Sequence, residues 1–187
     1  MKRMVLVVLG AMVLGAGSAS AQAAAAATGG IRFGVGAGLL LPMGTYKDGD
    51  KAGFIGGVDG TYWLASQPIG IRIEGSYSQT SEKSTVPAHK TKILGGAADV
   101  VYAFGQSSSS ARPYILAGLG YYNVKISVTG GSGSESKIGF GGGAGVAFKV
   151  GTGGTRVFVE GKYMSVSTSG TKTTFLPIRV GVRFGSK

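Results

Sequence analysis

Residues 137–150 read KIGFGGGAGVAFKV, and their alternation decides the fold class. Ile138, Phe140, Ala144, Val146 and Phe148 occupy one set of alternate positions; Gly139, Gly141, Gly143, Gly145 and Lys149 occupy the other. A period of two is that of an extended strand whose faces meet different surroundings, whereas a helix would repeat its apolar residues at three and four. The segment GFGGGAG has the glycine density of a nucleotide-binding loop, but it lies inside the strand pattern and opens no helix. Its glycines are better suited to strand curvature and to making room for neighbouring side chains.

The same alternation recurs in seven other stretches. On 31–41, Ile31, Phe33, Val35, Ala37, Leu39 and Leu41 oppose Arg32 and three glycines; on 53–65, Phe54, Val58, Tyr62 and Leu64 oppose Asp59, Thr61 and Trp63. On 69–79, Ile69, Ile71, Ile73 and Tyr77 oppose Arg72, Glu74 and two serines; on 92–104, Leu94, Ala98, Val100, Tyr102 and Phe104 oppose Ala97 and Asp99. On 155–167, Val157, Val159 and Tyr163 oppose Arg156, Glu160 and Lys162; on 174–184, Leu176, Ile178, Val180, Val182 and Phe184 oppose Arg179 and Arg183. The stretch 113–128 is apolar on both faces at its start. There Asn123 and Lys125 place Tyr114, Leu116, Tyr122, Val124 and Ile126 together on the apolar side. Eight hairpin-linked segments predict an up-and-down antiparallel sheet, enough to close a barrel. Short connections (66–68, 105–112, 151–154) alternate with four longer ones (42–52, 80–91, 129–136, 168–173).

Composition narrows the function classes. The 187 residues suit one domain; zero cysteines exclude disulfide scaffolds and thiol chemistry, and a single histidine excludes a histidine metal cluster. Lys2 and Arg3, the apolar run from Met4 to Ala16 and the small residues through Ala19-Ser20-Ala21 form a secretory signal pattern. Cleavage is expected after Ala21, with Ala21-Gln22-Ala23 as a near-equal site, leaving 22–29 as an Ala-rich lead-in and 30–187 as the domain. Loss of Lys2 and Arg3 takes the formal charge from +11 to +9.

Alternation alone does not say which face points inward. A soluble periplasmic carrier of the lipocalin kind would be apolar inside; an outer-membrane barrel is the reverse. The polar face here is mostly Gly, Ala and Ser with scattered single charges, a poor coat for a soluble protein but a fit for a narrow lumen. Aromatics also gather at strand ends. Phe33, Tyr62, Tyr102, Phe104, Tyr114, Phe148 and Phe184 lie beside the short connections, and Phe54, Tyr77, Phe140 and Tyr163 toward the other ends, as two interfacial belts require. An outer-membrane location follows.

The segments IRFGVGAGLLLPMG, IGIRIEGSYSQ, RPYILAGLGYY, VFVEGKYM and IRVGVRF resemble the small outer-membrane β-barrel domain family, in the style of the OmpA N-terminal domain and OmpX, over about residues 30–184. The resemblance implies insertion by the barrel assembly machinery through a last strand ending at Phe184, although Val182 stands where an aromatic is usual. It also implies a monomer with periplasmic termini and the four longer connections as surface loops.

The lumen candidates are Arg32, Arg72, Lys125, Lys149, Arg156, Lys162, Arg179 and Arg183 against Asp59, Glu74, Asp99 and Glu160. Paired, they form a structural charge network; unpaired, the excess of bases would line a narrow anion-preferring channel. No cofactor, metal site or catalytic set is expected. The one catalytic candidate, His89, sits in the second surface loop beside Ser84, Thr85 and Lys90 with no carboxylate evidently aimed at it. The lysines are dispersed without a basic stripe, which argues against nucleic acid. Lys47, Lys51, Lys83, Lys90, Lys92, Lys137 and Lys172 flank the surface loops, where lipopolysaccharide phosphates are the expected contact.

Overall fold

The computed structural model describes residues 30–83, 88–168 and 171–185, so the signal and lead-in expected over 1–29 lie outside the described residues. Eight strands follow one another as β1 (Ile31–Met43), β2 (Gly53–Trp63), β3 (Ile69–Ser81), β4 (His89–Ala103), β5 (Ala111–Val128), β6 (Gly131–Lys149), β7 (Arg156–Thr168) and β8 (Thr171–Phe184), with one short helix, α1 (Tyr46–Gly49). Each pairs antiparallel with its sequence neighbours and β1 pairs with β8, closing the barrel. Closure leaves no free sheet edge around the body of the barrel.

The apolar set faces outward. Ile138 is 67% exposed, Leu119 63% and Val58 60%, while Asp59, Glu74, Asp99 and Glu160 are buried. A carrier barrel requires the opposite arrangement, so the lipocalin-like alternative fails on this point. The outward aromatics Phe33, Tyr62, Tyr102, Phe104, Phe148 and Phe184 cluster at the end bearing Gly30 and Gly185, and Tyr102 and Phe104 meet edge-on at 5.1 Å between ring centroids.

Three expectations need correction. First, β5 is turned over: Tyr114, Leu116, Tyr122 and Val124 are buried, while Ile115, Leu119 and Tyr121 are exposed. Tyr114 therefore belongs to the lumen and not to the aromatic belt. Second, 129–136 is not a loop. Residues 131–136 pair with 123–128 across the turn at Thr129-Gly130, where Gly130 takes φ +93, so the β5–β6 hairpin extends as sheet almost to its tip. Third, β7 and β8 pair through Thr168↔Thr171, shortening the last surface connection.

β7 gives the vertical order of the interior. Arg156, Phe158, Glu160, Lys162, Met164 and Val166 are all buried, and successive inward positions climb the barrel from the Gly30 end. Phe158 joins a lower apolar layer with Val101, Ala103, Tyr114, Leu116 and Ala147. Met164 and Val166 join an upper one with Leu40, Ile55, Ile93, Tyr122, Val124 and Phe175. α1 folds over this upper layer, and Tyr46 packs against it. Between the two layers lie Glu160 and Lys162, with Arg156 below the lower one.

Candidate functional site in the charged lumen

Each charged side chain comes from an inward position of a different part of the sheet: Asp59 from β2, Arg72 and Glu74 from β3, Asp99 from β4, Glu160 and Lys162 from β7, Arg179 and Arg183 from β8. The register already sets Asp59 beside Glu74, and Glu160 beside Arg179, on adjacent strands. Curvature then brings the far walls together.

Glu160 is the hub. Its Oε2 accepts from Arg72 Nη1 at 2.6 Å and Arg183 Nη2 at 3.1 Å, and its Oε1 from Arg179 Nη2 at 2.7 Å. Tyr114 Oη donates to the same Oε2 at 2.8 Å. Arg179 also donates to Glu74 Oε2 at 2.8 Å, and Lys162 Nζ bridges Glu74 Oε1 and Asp99 Oδ2, both at 2.8 Å. Arg183 Nε reaches Asp59 Oδ1 at 3.1 Å. Arg72, Lys162, Arg179 and Arg183 thus join Asp59, Glu74, Asp99 and Glu160 in one continuous network, four of each sign and all buried. Buried charges are tolerated only when paired and hydrogen-bonded, and these are, save for Asp99 Oδ1.

Small residues make the space. A Cβ on Gly145 would fall 2.5 Å from the Tyr114 ring and hydroxyl, and one on Gly34 would strike the Asp59 carboxylate and lie 2.9 Å from Arg183 Cγ.

Of the sequence candidates, Lys125 and Lys149 are exposed and take no part in the network. Lys125 points outward because β5 is turned over; Lys149 sits beyond the last buried inward residue of β6, Ala147, at the barrel mouth. Arg32 and Arg156 are buried at that mouth, below the network and without ion pairs to it. Sequence reading missed Arg112, which is buried with its guanidinium 4.8 Å over the Trp63 ring. It also missed Tyr114 as a member of the network. Arg112 lies two positions before Tyr114 and so shares its face, which was the available signal.

At the opposite end, His89 opens β4 rather than lying in a loop, and a carboxylate is aimed at it. Its Nε2 is 3.0 Å from Asp50 Oδ2; Asp50 Oδ1 accepts from Thr80 Oγ1 at 2.6 Å, and Thr80 meets the Tyr46 hydroxyl at 2.7 Å. This chain fastens α1 to the β3 and β4 ends. Ser84 and Thr85 lie outside the described residues. Among the described residues no three His, Cys, Asp or Glu side chains converge as a metal site. Lys47, Lys51, Lys90 and Lys172 are exposed around this rim, with Lys83, Lys92 and Lys137 half-buried.

A closed eight-stranded sheet with an apolar exterior and ion-paired interior defines a membrane-spanning β-barrel. The chain belongs to the outer membrane protein beta-barrel domain family, whose model matches residues 9–184. Among solved structures it is similar to Neisserial surface protein A (TM-score 0.64, 18% identity, 84% of this chain and 97% of that one). It is also similar to the N-terminal barrel of Pseudomonas aeruginosa OprF (0.53, 16%, 85% and 98%) and to a major outer membrane protein of Thermus thermophilus (0.56, 12%, 83% and 99%). At these identities the likeness is one of fold. No curated protein sequence matches the chain.

Proposed function

We propose that this chain is a non-enzymatic outer-membrane barrel of a Gram-negative-type bacterium, exported by a cleaved signal, with a structural or surface-contact role and a lumen closed to ions. The observation that carries the closed lumen is the equal count of buried charges in one network around Glu160. An anion channel needs unpaired bases along its length, whereas here every base at mid-barrel height is taken by an acid. Apolar layers above and below exclude water from that level. Insertion by the barrel assembly machinery, periplasmic termini and a monomeric state complete the reading.

Surface contact is with the lipid itself. The exposed lysines at the loop end stand where lipopolysaccharide phosphates lie, and cations near an anionic surface are each worth about 1 kcal/mol. Reversing Lys47, Lys51, Lys90 and Lys172 to Glu should abolish lipopolysaccharide co-purification with the folded barrel. Folding is checked independently by the shift in gel migration between unboiled and boiled samples. Undiminished co-purification by the folded variant would refute the lipid contact.

A further inference from the structure

The interior bases and acids balance only within the network. At the Gly30 end, Arg32, Arg112 and Arg156 are 5%, 8% and 3% exposed, and among the described residues none has an ion pair. All eight Asp and Glu residues are accounted for elsewhere. Asp59, Glu74, Asp99 and Glu160 are committed to the network, and Asp48, Asp50, Glu82 and Glu135 belong to the far end.

The three arginines differ in what they have left to give. Arg156 is spent on the backbone: Nη2 donates to the Ser107 and Ser109 carbonyls at 2.7 and 3.0 Å, and Nη1 to that of Ala147 at 3.2 Å. It thereby holds the 104–110 connection across the mouth. Arg32 and Arg112 donate to nothing among the described residues, and the Nε of each is buried without a partner. Stacking on Trp63 satisfies the face of the Arg112 guanidinium but not its in-plane N–H groups. A cavity of about 350 Å³ opens beside Arg32 but not Arg112, lined also by Arg156, Lys149, Ser107 and Gly154. A second, of about 700 Å³, is lined by Arg32, Arg112 and Trp63.

We propose that the larger of these cavities is a binding site for a small phosphate-type oxyanion, with Arg32 and Arg112 as direct donors and Arg156, which holds the 104–110 connection, as a positioning residue. Buried guanidinium groups without a counter-charge are costly, and their planar forks match the edges of a tetrahedral oxyanion. The neutral network above makes the site a closed-ended pocket, not the entrance to a channel. The shared chemistry is the phosphate group, either free or as the end of a phosphomonoester.

Trp63 is the chain's single tryptophan and lies against Arg112, so its emission reports on this site alone. The folded barrel in zwitterionic detergent is titrated with inorganic phosphate at constant ionic strength, with chloride as the exchanged salt. A saturable change in Trp63 emission is expected. Arg32→Gln should weaken it by about tenfold or more, the usual worth of a charge-assisted hydrogen bond. Arg32→Lys should weaken it less, and Lys125→Gln, outside the pocket, should leave it unchanged. Glycerol phosphate is the second arm: tighter saturation than by inorganic phosphate assigns the group to a larger molecule, equal or weaker saturation to the free anion. A response that merely follows ionic strength, or an unaltered curve in folded Arg32→Gln, would overturn the site.

Discussion

The Tyr114 hydroxyl donates to Glu160 Oε2 at 2.8 Å and accepts from Arg183 Nη1 at 3.0 Å, tying β5 to β7 and β8 across the lumen. Tyr114→Phe removes this link while keeping the ring. The expected cost is about 1–3 kcal/mol, since Arg183 loses an acceptor but keeps Asp59 and Glu160. Glu160→Ala should cost more, about 3–5 kcal/mol, because it takes one buried partner from Arg72, Arg179 and Arg183 at once and leaves the network with an excess base. Urea unfolding in phospholipid vesicles gives both values, and equal losses would contradict the hub role of Glu160.

Lys162 serves two acids at once. Lys162→Met alone leaves Glu74 with only Arg179 and Asp99 with no ion-pair partner, and should destabilise by about 3 kcal/mol or more. Adding Asp99→Asn should recover most of that loss, since it removes the stranded charge and leaves three bases against three acids. Failure of the double variant to recover would mean that Lys162 acts by its volume.

Val58 adjoins Asp59 in sequence but faces outward, 60% exposed. On a water-facing surface Val58→Arg would be nearly neutral; at the middle of a lipid-facing wall it should cost about 2–4 kcal/mol. Unfolding free energies in vesicles distinguish the two environments.

At the loop end, burial pushes the Tyr46 phenol above its ordinary range, and the nearby Asp50 carboxylate adds to the shift. A raised acid contributes stability that is complete below its unfolded value of about 10 and lost as pH rises through the folded one. The fastening of α1 should therefore hold through neutral pH and loosen only in strong alkali. Protease nicking of the 44–52 segment, followed against pH, tests this; Tyr46→Phe should remove the alkaline step.

The outward face was legible because lipid imposes one requirement along the whole length of a strand, as in 137–150. The inward face was less so, because the lumen is layered. On β7 apolar Phe158 lies below Glu160 and Lys162 and apolar Met164 above them, and there the charges revealed the face. On β5 the inward positions 114, 116, 122 and 124 fall mainly in the apolar layers, so both faces read apolar and Lys125 misdirected the choice. Pairing partners were illegible for a different reason. Arg179 meets Glu160 through adjacent strands, but Lys162 meets Asp99 across the closed lumen, which no local pattern encodes. The extension of β5 and β6 past the barrel body was hidden by the Gly and Ser residues of 130–136, whose composition is that of a loop.

On the proposed function, the neutral network around Glu160 seals the barrel. Single-channel recording of the folded wild-type protein in a planar lipid bilayer tests it most directly. A closed lumen gives no sustained ion conductance; steady, ohmic, anion-selective conductance from the wild-type barrel would contradict it.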